Sequence, residues 1–237
     1  MIIVKMKIGI IGVGVVGNAI KKYYEKKNKY TVLCYDKYKD LGSFNDLLTS
    51  DILFLCLPTP FVEDKYDISE LENTCKLLNG RKDINIILKS TVTPGTTEYL
   101  ENKYNINIIH NPEFISQKTA TEDFENQYHI ILGCNNQEKL KNIEIFYKTD
   151  FPFCEYTLTT PKESELTKLA LNNFYCVKIQ FFTEMYLLCD KLGINYDNIK
   201  NTMLKNKWIH PNHTQIPGRD GQVSYGGMCF PKDSNAL

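Results

Sequence analysis

Three glycines and one carboxylate near the N-terminus have the types and spacing to hold a dinucleotide. Gly12-Val13-Gly14-Val15-Val16-Gly17 follows an apolar run and opens a helical pattern. The first glycine suits a tight turn, the second lets a pyrophosphate approach the backbone, and the third allows close helix–strand packing. The helix start adds unpaired N–H groups and the positive end of a dipole. Asp36 stands 19 residues beyond Gly17. A carboxylate there accepts hydrogen bonds from both ribose hydroxyls and repels a 2′-phosphate, so NAD is expected over NADP.

Other reactive side chains are scattered. Cys56-Leu57-Pro58-Thr59-Pro60 and Lys89-Ser90-Thr91-Val92-Thr93-Pro94-Gly95-Thr96-Thr97 each follow an apolar run. Their composition suits turns, and their place beside the glycine loop suits contact with cofactor or substrate. No two of the eight cysteines stand at C-x-x-C spacing, and none is flanked by histidine at a zinc-site interval. Seven read as small buried side chains in a reducing compartment. Cys229 differs, because it follows Gly226-Gly227 and precedes Lys232 by three residues. That setting offers access and positive charge. Lys168 and Asn172 stand at i,i+4 and share a helical face; taken alone, such a pair reads as a solvated surface. The four histidines form no i,i+4 pair and read as structural or surface residues.

The elements that must position these groups alternate. Candidate strands are Lys7–Ile11, Tyr30–Tyr35, Ile52–Leu57, Ile84–Leu88, Ile106–His110 and His129–Leu132, with helical patterns such as Val15–Lys27 and Ser69–Leu78 between them. Alternation of this kind predicts an α/β fold, a Rossmann-like doubly wound parallel sheet binding ligands at its strands' carboxyl ends. From Pro161 to Lys191 there is no internal Pro or Gly, and apolar residues recur every three or four positions. This predicts one long central helix that outruns a small domain and packs on another domain or subunit. The expected division is residues 1–160 as an NAD-binding domain and 161–237 as a helical region.

Composition removes other classes. Lys plus Arg and Asp plus Glu both number 28 among 237 residues, so no net field draws the chain to nucleic acid or an anionic membrane. The longest apolar run, Ile52–Leu57, is far short of the roughly 18–20 residues that cross a bilayer. The N-terminus reads as a first strand with a short preamble rather than a signal peptide, so a cytoplasmic protein is expected.

With these residues set out, the chain resembles the UDP-glucose/GDP-mannose dehydrogenase family. The resemblance runs through Gly12–Gly17, Asp36, Pro58-Thr59-Pro60, Lys89-Ser90-Thr91-Val92, Asn111-Pro112-Glu113-Phe114, the block Glu165–Phe174, and Gly226-Gly227-Met228-Cys229-Phe230-Pro231-Lys232-Asp233. These blocks are collinear with the family's order and cover essentially the whole chain. The resemblance implies oxidation of the C6 alcohol of a nucleotide sugar to a carboxylate with two NAD, UDP-glucose being the default substrate. By resemblance Cys229 is the nucleophile, Lys168 and Asn172 stabilise the oxyanion, and Glu113 activates water. Asp233 holds a water together with Thr91 and assists deprotonation of the alcohol. Thr59, Thr91, Gln117 and Lys232 join the glycine loop at the cofactor. Gly218, Arg219, Asp220, Gly221, Gln222 and Gly226 line the sugar-nucleotide pocket with Glu113, Lys168 and Asn172. Apart from the resemblance, the apolar stripe of the helix at Pro161–Lys191 exceeds what one small domain can cover, so a homodimer through that helix is expected.

Two departures stand out. Gln117 occupies a position where the family carries a second acid, so a neutral amide replaces a carboxylate near the nicotinamide. Family members also continue into a second Rossmann-like domain, whereas this chain stops eight residues after Cys229; the C-terminal domain is expected to be missing. Three alternatives therefore stay open: a non-catalytic NAD-binding remnant or regulatory subunit, a dehydrogenase for GDP-mannose or a UDP-N-acetylhexosamine, and a one-step hydroxyacid dehydrogenase. The last gives the Cys229 loop no role.

Overall fold

The β-branched runs become the strands of one seven-stranded sheet. The computed structural model describes residues 5–218, 221–227 and 229–237. In chain order, β1 (Met6–Ile11) leads through α1 (Val15–Glu25) to β2 (Tyr30–Tyr35), and α2 (Phe44–Leu47) to β3 (Ile52–Leu55). A hairpin of β4 (Phe61–Val62) and β5 (Lys65–Tyr66) precedes α3 (Ser69–Leu77), β6 (Asn85–Leu88), α4 (Thr96–Tyr104) and β7 (Ile108–His110). Then come α5 (Ala120–Glu125), β8 (His129–Gly133), α6 (Gln137–Asp150), β9 (Glu155–Thr159) and the long α7 (Pro161–Leu192). The chain divides into two units, Met1–Lys168 and Leu169–Leu237, and α7 runs through the division.

In the first unit the strand order is β2-β1-β3-β6-β7-β8-β9. The chain passes from β1 to β2 on one side and then to β3 on the other, which opens a crevice at the carboxyl ends. Strand residues alternate between two cores, as a period of two requires. Ile8, Ile10, Ile52, Phe54, Ile87 and Ile109 pack with α1 and α6. Leu53, Leu55, Ile86, Leu88 and Ile108 pack on the opposite face with Leu71, Cys75 and Leu100 of α3 and α4. Each such aliphatic side chain, once fully buried, contributes about 1.5–3 kcal/mol.

The sheet is not parallel throughout. β7 pairs with β8 antiparallel, while β8 and β9 are mutually parallel. After β7, α5 packs its Phe124 against Tyr23 of α1, and β8 starts at the end of the sheet where β7 finishes, so it runs the opposite way. β9, an edge strand with mostly exposed side chains, adds a seventh strand to the six expected. The third strand ends at Leu55 rather than Leu57, because the following segment carries Pro58 and Pro60, which lack ladder donors. The fifth starts at Ile108 rather than Ile106.

The second unit contains the remainder of α7, then α8 (Tyr196–Leu204) and α9 (Phe230–Asn235). Its core gathers Ile179, Phe182, Cys189, Tyr196 and Ile216. Gly193, at φ +65°, ends α7 in the left-handed conformation usual at helix C-termini. Asn195 caps α8 by accepting the Asn198 N–H at 3.0 Å. Among the described residues no helix is long and apolar enough to cross a membrane.

Candidate functional site

The glycine loop leaves β1 at the sheet's switch point. Gly12 has φ +85°, and a Cβ there would stand 2.5 Å from the Cys56 carbonyl oxygen. A Cβ on Gly17 would stand 2.0 Å from the Gly12 carbonyl oxygen. A Cβ on Gly14, the N-cap of α1, would meet nothing within 4 Å. Two glycines are thus required by packing and the third faces open space, which is the pattern a phosphate-binding turn needs. No side chain caps α1 and its first turn carries no acid, so its leading N–H groups suit an anion. The Val13 N–H donates to Asp36 Oδ2 at 2.9 Å and the Tyr38 N–H to Asp36 Oδ1 at 3.1 Å. Lys39 Nζ donates to the Val13 carbonyl at 2.5 Å. The Asp36 carboxylate is therefore held against the glycine loop. Val15 and Gln117 line one cleft of about 370 Å³ beside the start of α1, with Asn18 and Thr119. The residues present fit a dinucleotide.

Three more loops leave the adjacent carboxyl ends of β3, β6 and β7, and hydrogen bonds tie them together. Thr59 Oγ1 donates to the Thr91 carbonyl at 2.6 Å, and Ser90 Oγ to the Leu57 carbonyl at 2.7 Å. The strap after β7 begins with Asn111, whose Nδ2 donates to the Ile131 carbonyl at 2.8 Å. Its Oδ1 accepts from Lys89 Nζ at 2.7 Å and from Tyr147 OH at 2.6 Å. Lys89 Nζ also lies 3.4 Å from the Pro112 carbonyl. At the strap's other end Lys168 Nζ donates to the Glu113 carbonyl at 2.6 Å, lies 3.5 Å from Glu113 Oε1, and sits over the Phe114 ring. Glu113 Oε2 accepts the Ile115 N–H at 2.8 Å. Glu113 and Lys168 are thus brought together.

Burial governs the titration of this cluster. It drives the Lys89 ammonium down to about 8, with Lys168 adding to the effect while Cys56 and Glu113 oppose it. It pushes the Cys56 thiol up to about 12 and takes His110 down to about 3, Lys89 contributing second to the latter. His110 Nδ1 meets Ser164 Oγ at 2.8 Å. Glu165, inside a motif block, proves to be a cap. Its carboxylate accepts the Gly95 and Thr97 N–H groups and the Thr97 hydroxyl at 2.6–2.7 Å, at the start of α4, and burial raises its pKa.

In the second unit Cys229 is exposed at the N-cap of α9. One turn on, the Asp233 N–H donates to the Cys229 carbonyl at 2.8 Å. Asp233 is only 1% exposed. Its Oδ2 accepts from Asn172 Nδ2 at 2.5 Å, its Oδ1 lies 2.5 Å from Lys232 Nζ, and its carbonyl accepts from Asn173 Nδ2 at 3.0 Å. Asn172, Lys232 and Asp233 thus form one cluster near the cysteine in sequence, with Asn172 and Asp233 buried and Lys232 partly exposed. The Asn172 amide and the Lys232 ammonium, expected to face reacting oxygen and cofactor, are turned to the Asp233 carboxylate here. Gly218, Gly221 and Gln222 form one turn, the Gly218 N–H donating to the Gln222 carbonyl at 2.8 Å and the Gly221 N–H to the Gly218 carbonyl at 2.9 Å. Gly226 is exposed. Arg219 and Asp220 lie outside the described residues.

Sequence reasoning placed Lys89 and Asn111 in motif blocks without giving either a role of its own, and passed over Tyr147 and Lys39. The one signal available was Lys89 itself, a cation placed directly after the apolar strand Ile86-Ile87-Leu88. Among the described residues no three His, Cys, Asp or Glu side chains gather as metal ligands.

The model for the NAD-binding domain of the UDP-glucose/GDP-mannose dehydrogenase family matches residues 42–150, and the model for that family's central domain matches residues 162–237. A UDP-glucose 6-dehydrogenase of Rickettsia typhi is 35% identical over 208 residues, which is 81% of this chain and 45% of that protein. A UDP-glucose dehydrogenase structure from Pyrobaculum islandicum superposes with TM-score 0.83 at 23% identity, covering 98% of this chain and 63% of that one. A UDP-D-ManNAc dehydrogenase from Pyrococcus horikoshii does so with TM-score 0.83 at 22% identity, covering 98% and 64%. At these identities the structures establish the fold. The chain spans about half the length of the curated relatives it matches.

Proposed function

From a chain that belongs to the UDP-glucose/GDP-mannose dehydrogenase family and carries its NAD-binding and central domains, we propose NAD-dependent oxidation of a nucleotide sugar's C6 alcohol to the acid. UDP-glucose is the first substrate to try, since the relative from Rickettsia typhi is named for it. One observation carries the reading: an exposed thiol, Cys229, stands one helical turn from a buried carboxylate, Asp233. A one-step alcohol dehydrogenase has no use for that thiol, whereas a two-step oxidation does.

NAD, held by Gly12–Gly17 and Asp36, supplies the hydride acceptor in both oxidations. Asp233 takes the alcohol proton by way of water as the C6 hydride leaves, giving an aldehyde. The Cys229 thiolate adds to that aldehyde, and the oxygen gains a proton to form a thiohemiacetal. Loss of a second hydride and of the hydroxyl proton makes a thioester. Glu113 deprotonates water, the hydroxide adds to the thioester carbonyl, and the C–S bond breaks to release the acid and the thiolate. Lys168 and Asn172 stabilise the oxyanion that develops in each step. Thr91 positions the water shared with Asp233, and Thr59, Gln117 and Lys232 contact the cofactor. Gly218–Gln222 and Gly226 line the sugar-nucleotide pocket.

We further place the protein in the cytoplasm, whose reducing conditions keep such a thiol available, and assemble it as a homodimer through α7. The stripe Phe174, Val177, Phe181, Leu188 and Leu192 is exposed at three-, four- and seven-residue steps, a repeat that fits a second copy of the helix.

The test is NADH formation with UDP-glucose, GDP-mannose and UDP-N-acetylhexosamines. It uses the 237-residue chain alone and with the C-terminal half of a relative added in trans. Two NADH per sugar acid are expected. Cys229→Ser should form no acid, because an alkoxide is a far poorer leaving group than a thiolate. Acid formation by Cys229→Ser would overturn the covalent route, and NADH from none of the sugars would overturn the assignment.

A further inference from the structure

Lys89 is a charged side chain only 4% exposed, set at the carboxyl end of the central strand β6. The segment it touches needs an outside anchor. The Asn111 N–H makes the last ladder bond, to the Leu88 carbonyl at 2.9 Å. Pro112 then has no N–H to offer, so the strap presents mainly acceptors. Lys89 takes two of them, Asn111 Oδ1 and the Pro112 carbonyl, and Lys168 takes the next, the Glu113 carbonyl. Two ammonium groups therefore grip consecutive carbonyls, one on each side of the Glu113 Cα.

We propose that Lys89 is a positioning residue, holding the Asn111-Pro112-Glu113 strap so that the Glu113 carboxylate is delivered to Lys168. The proposal rests on the reading in which Glu113 and Lys168 serve the reaction. Packing alone does not explain a cation here, since methionine would fill similar volume without desolvating a charge. The groups that face it are Cys56 beyond β3, His110 of β7, Glu113 of the strap and Lys168 of α7. None is an ionised acid paired with it by direct contact. Its hydrogen bonds go instead to neutral acceptors of the strap, which marks the ammonium as a three-pronged donor. Stability given up for a fixed site is a recurrent trade in enzymes.

Lys89→Met in the 237-residue chain tests this by amide hydrogen exchange. Exchange of residues 111–116 should rise at least about tenfold while β6 and β8 stay protected and NAD affinity stays within about threefold. Lys89→Arg should restore part of the protection. In whichever preparation forms NADH, Lys89→Met should lower kcat about 100-fold with KM for NAD little changed. Should Lys89→Met fail to fold, the wild-type chain carries the test through nitrogen-15 spectra of its lysine ammonium groups. One slowly exchanging signal, absent from Lys89→Arg, should titrate near pH 8, and strap protection should fall with it beyond the base-catalysed trend. Unchanged strap exchange in a folded Lys89→Met overturns the proposal, as does loss of protection spread equally over β6 and β8. If the wild type forms no NADH but Lys89→Met still frees the strap, the assigned activity fails and the positioning role stands. If the wild type turns over and Lys89→Met matches it, the reverse holds.

Discussion

Asp36 shows how one side chain can serve both fold and ligand. Its two carboxylate oxygens each accept a backbone N–H, from Val13 and from Tyr38, and this fixes the carboxylate beside the turn at Gly12. A 2′-phosphate arriving at that position would meet a negative charge at close range, an unfavourable interaction of roughly 1–4 kcal/mol in a partly solvated setting. The chain should therefore bind NADH at least about tenfold more tightly than NADPH, read from the fluorescence of each bound cofactor. Asp36→Asn keeps the size but removes the charge and one acceptor. It should narrow the NADH/NADPH ratio about tenfold and weaken the loop slightly, since one buried N–H loses a good partner. Equal affinity for the two cofactors in the wild type would defeat the argument. Lys39, whose ammonium lies on the Val13 carbonyl, is the competing influence, and the double substitution separates the two.

Among the elements, what the sequence revealed and what it concealed divide along a physical line. α7 was legible because helix formation is local: from residue 161 to 192 no Pro or Gly follows the first position, and Gly193 stops it. The glycine loop was legible because turn, approach and packing each forbid a Cβ or need room, at fixed offsets. The direction of β8 was not, because it depends on the end of the sheet from which the chain re-enters, a tertiary matter. The β4–β5 hairpin was hidden because Glu63 and Asp64 take φ +50° and +57° without a glycine or asparagine to announce it. Within the site, motif positions were legible but their partners were not: Glu165 caps α4 and Asn111 is met by Tyr147 from α6, links that only folding makes. The α7 stripe yields the prediction proper to this scale. Phe181, half exposed at its centre, should anchor the helix-to-helix contact, and Phe181→Asp should weaken dimerisation at least about 100-fold. Light scattering across micromolar concentrations reads this directly, and a wild-type monomer at high micromolar concentration would refute the dimer.

For the molecule as a whole, buried titratable groups decide how stability follows pH. His110 has its folded pKa depressed from 6.5 to about 3. Between those values the unfolded chain binds a proton that the folded chain does not, so stability is present above pH 6.5 and is lost as pH falls toward 3. The full loss is about 5 kcal/mol. Glu101 and Glu165, whose carboxyl pKa values burial raises, act in the opposite sense and soften the acid limb. Lys89, depressed from 10.5 to about 8, likewise makes stability rise with pH once pH passes 8. That gain is soon opposed. Cys56 and Cys75 have folded pKa values raised from 9.0 to about 12, so the unfolded chain loses thiol protons first and stability falls above pH 9. The terms together place the maximum at roughly pH 7–9. Urea unfolding at steps from pH 4 to 9.5 measures the curve. His110→Gln removes the ionisable ring and should flatten the limb between pH 6.5 and 4, whatever it does to stability at pH 7. An acid limb as steep in His110→Gln as in the wild type would show that the histidine is not its source.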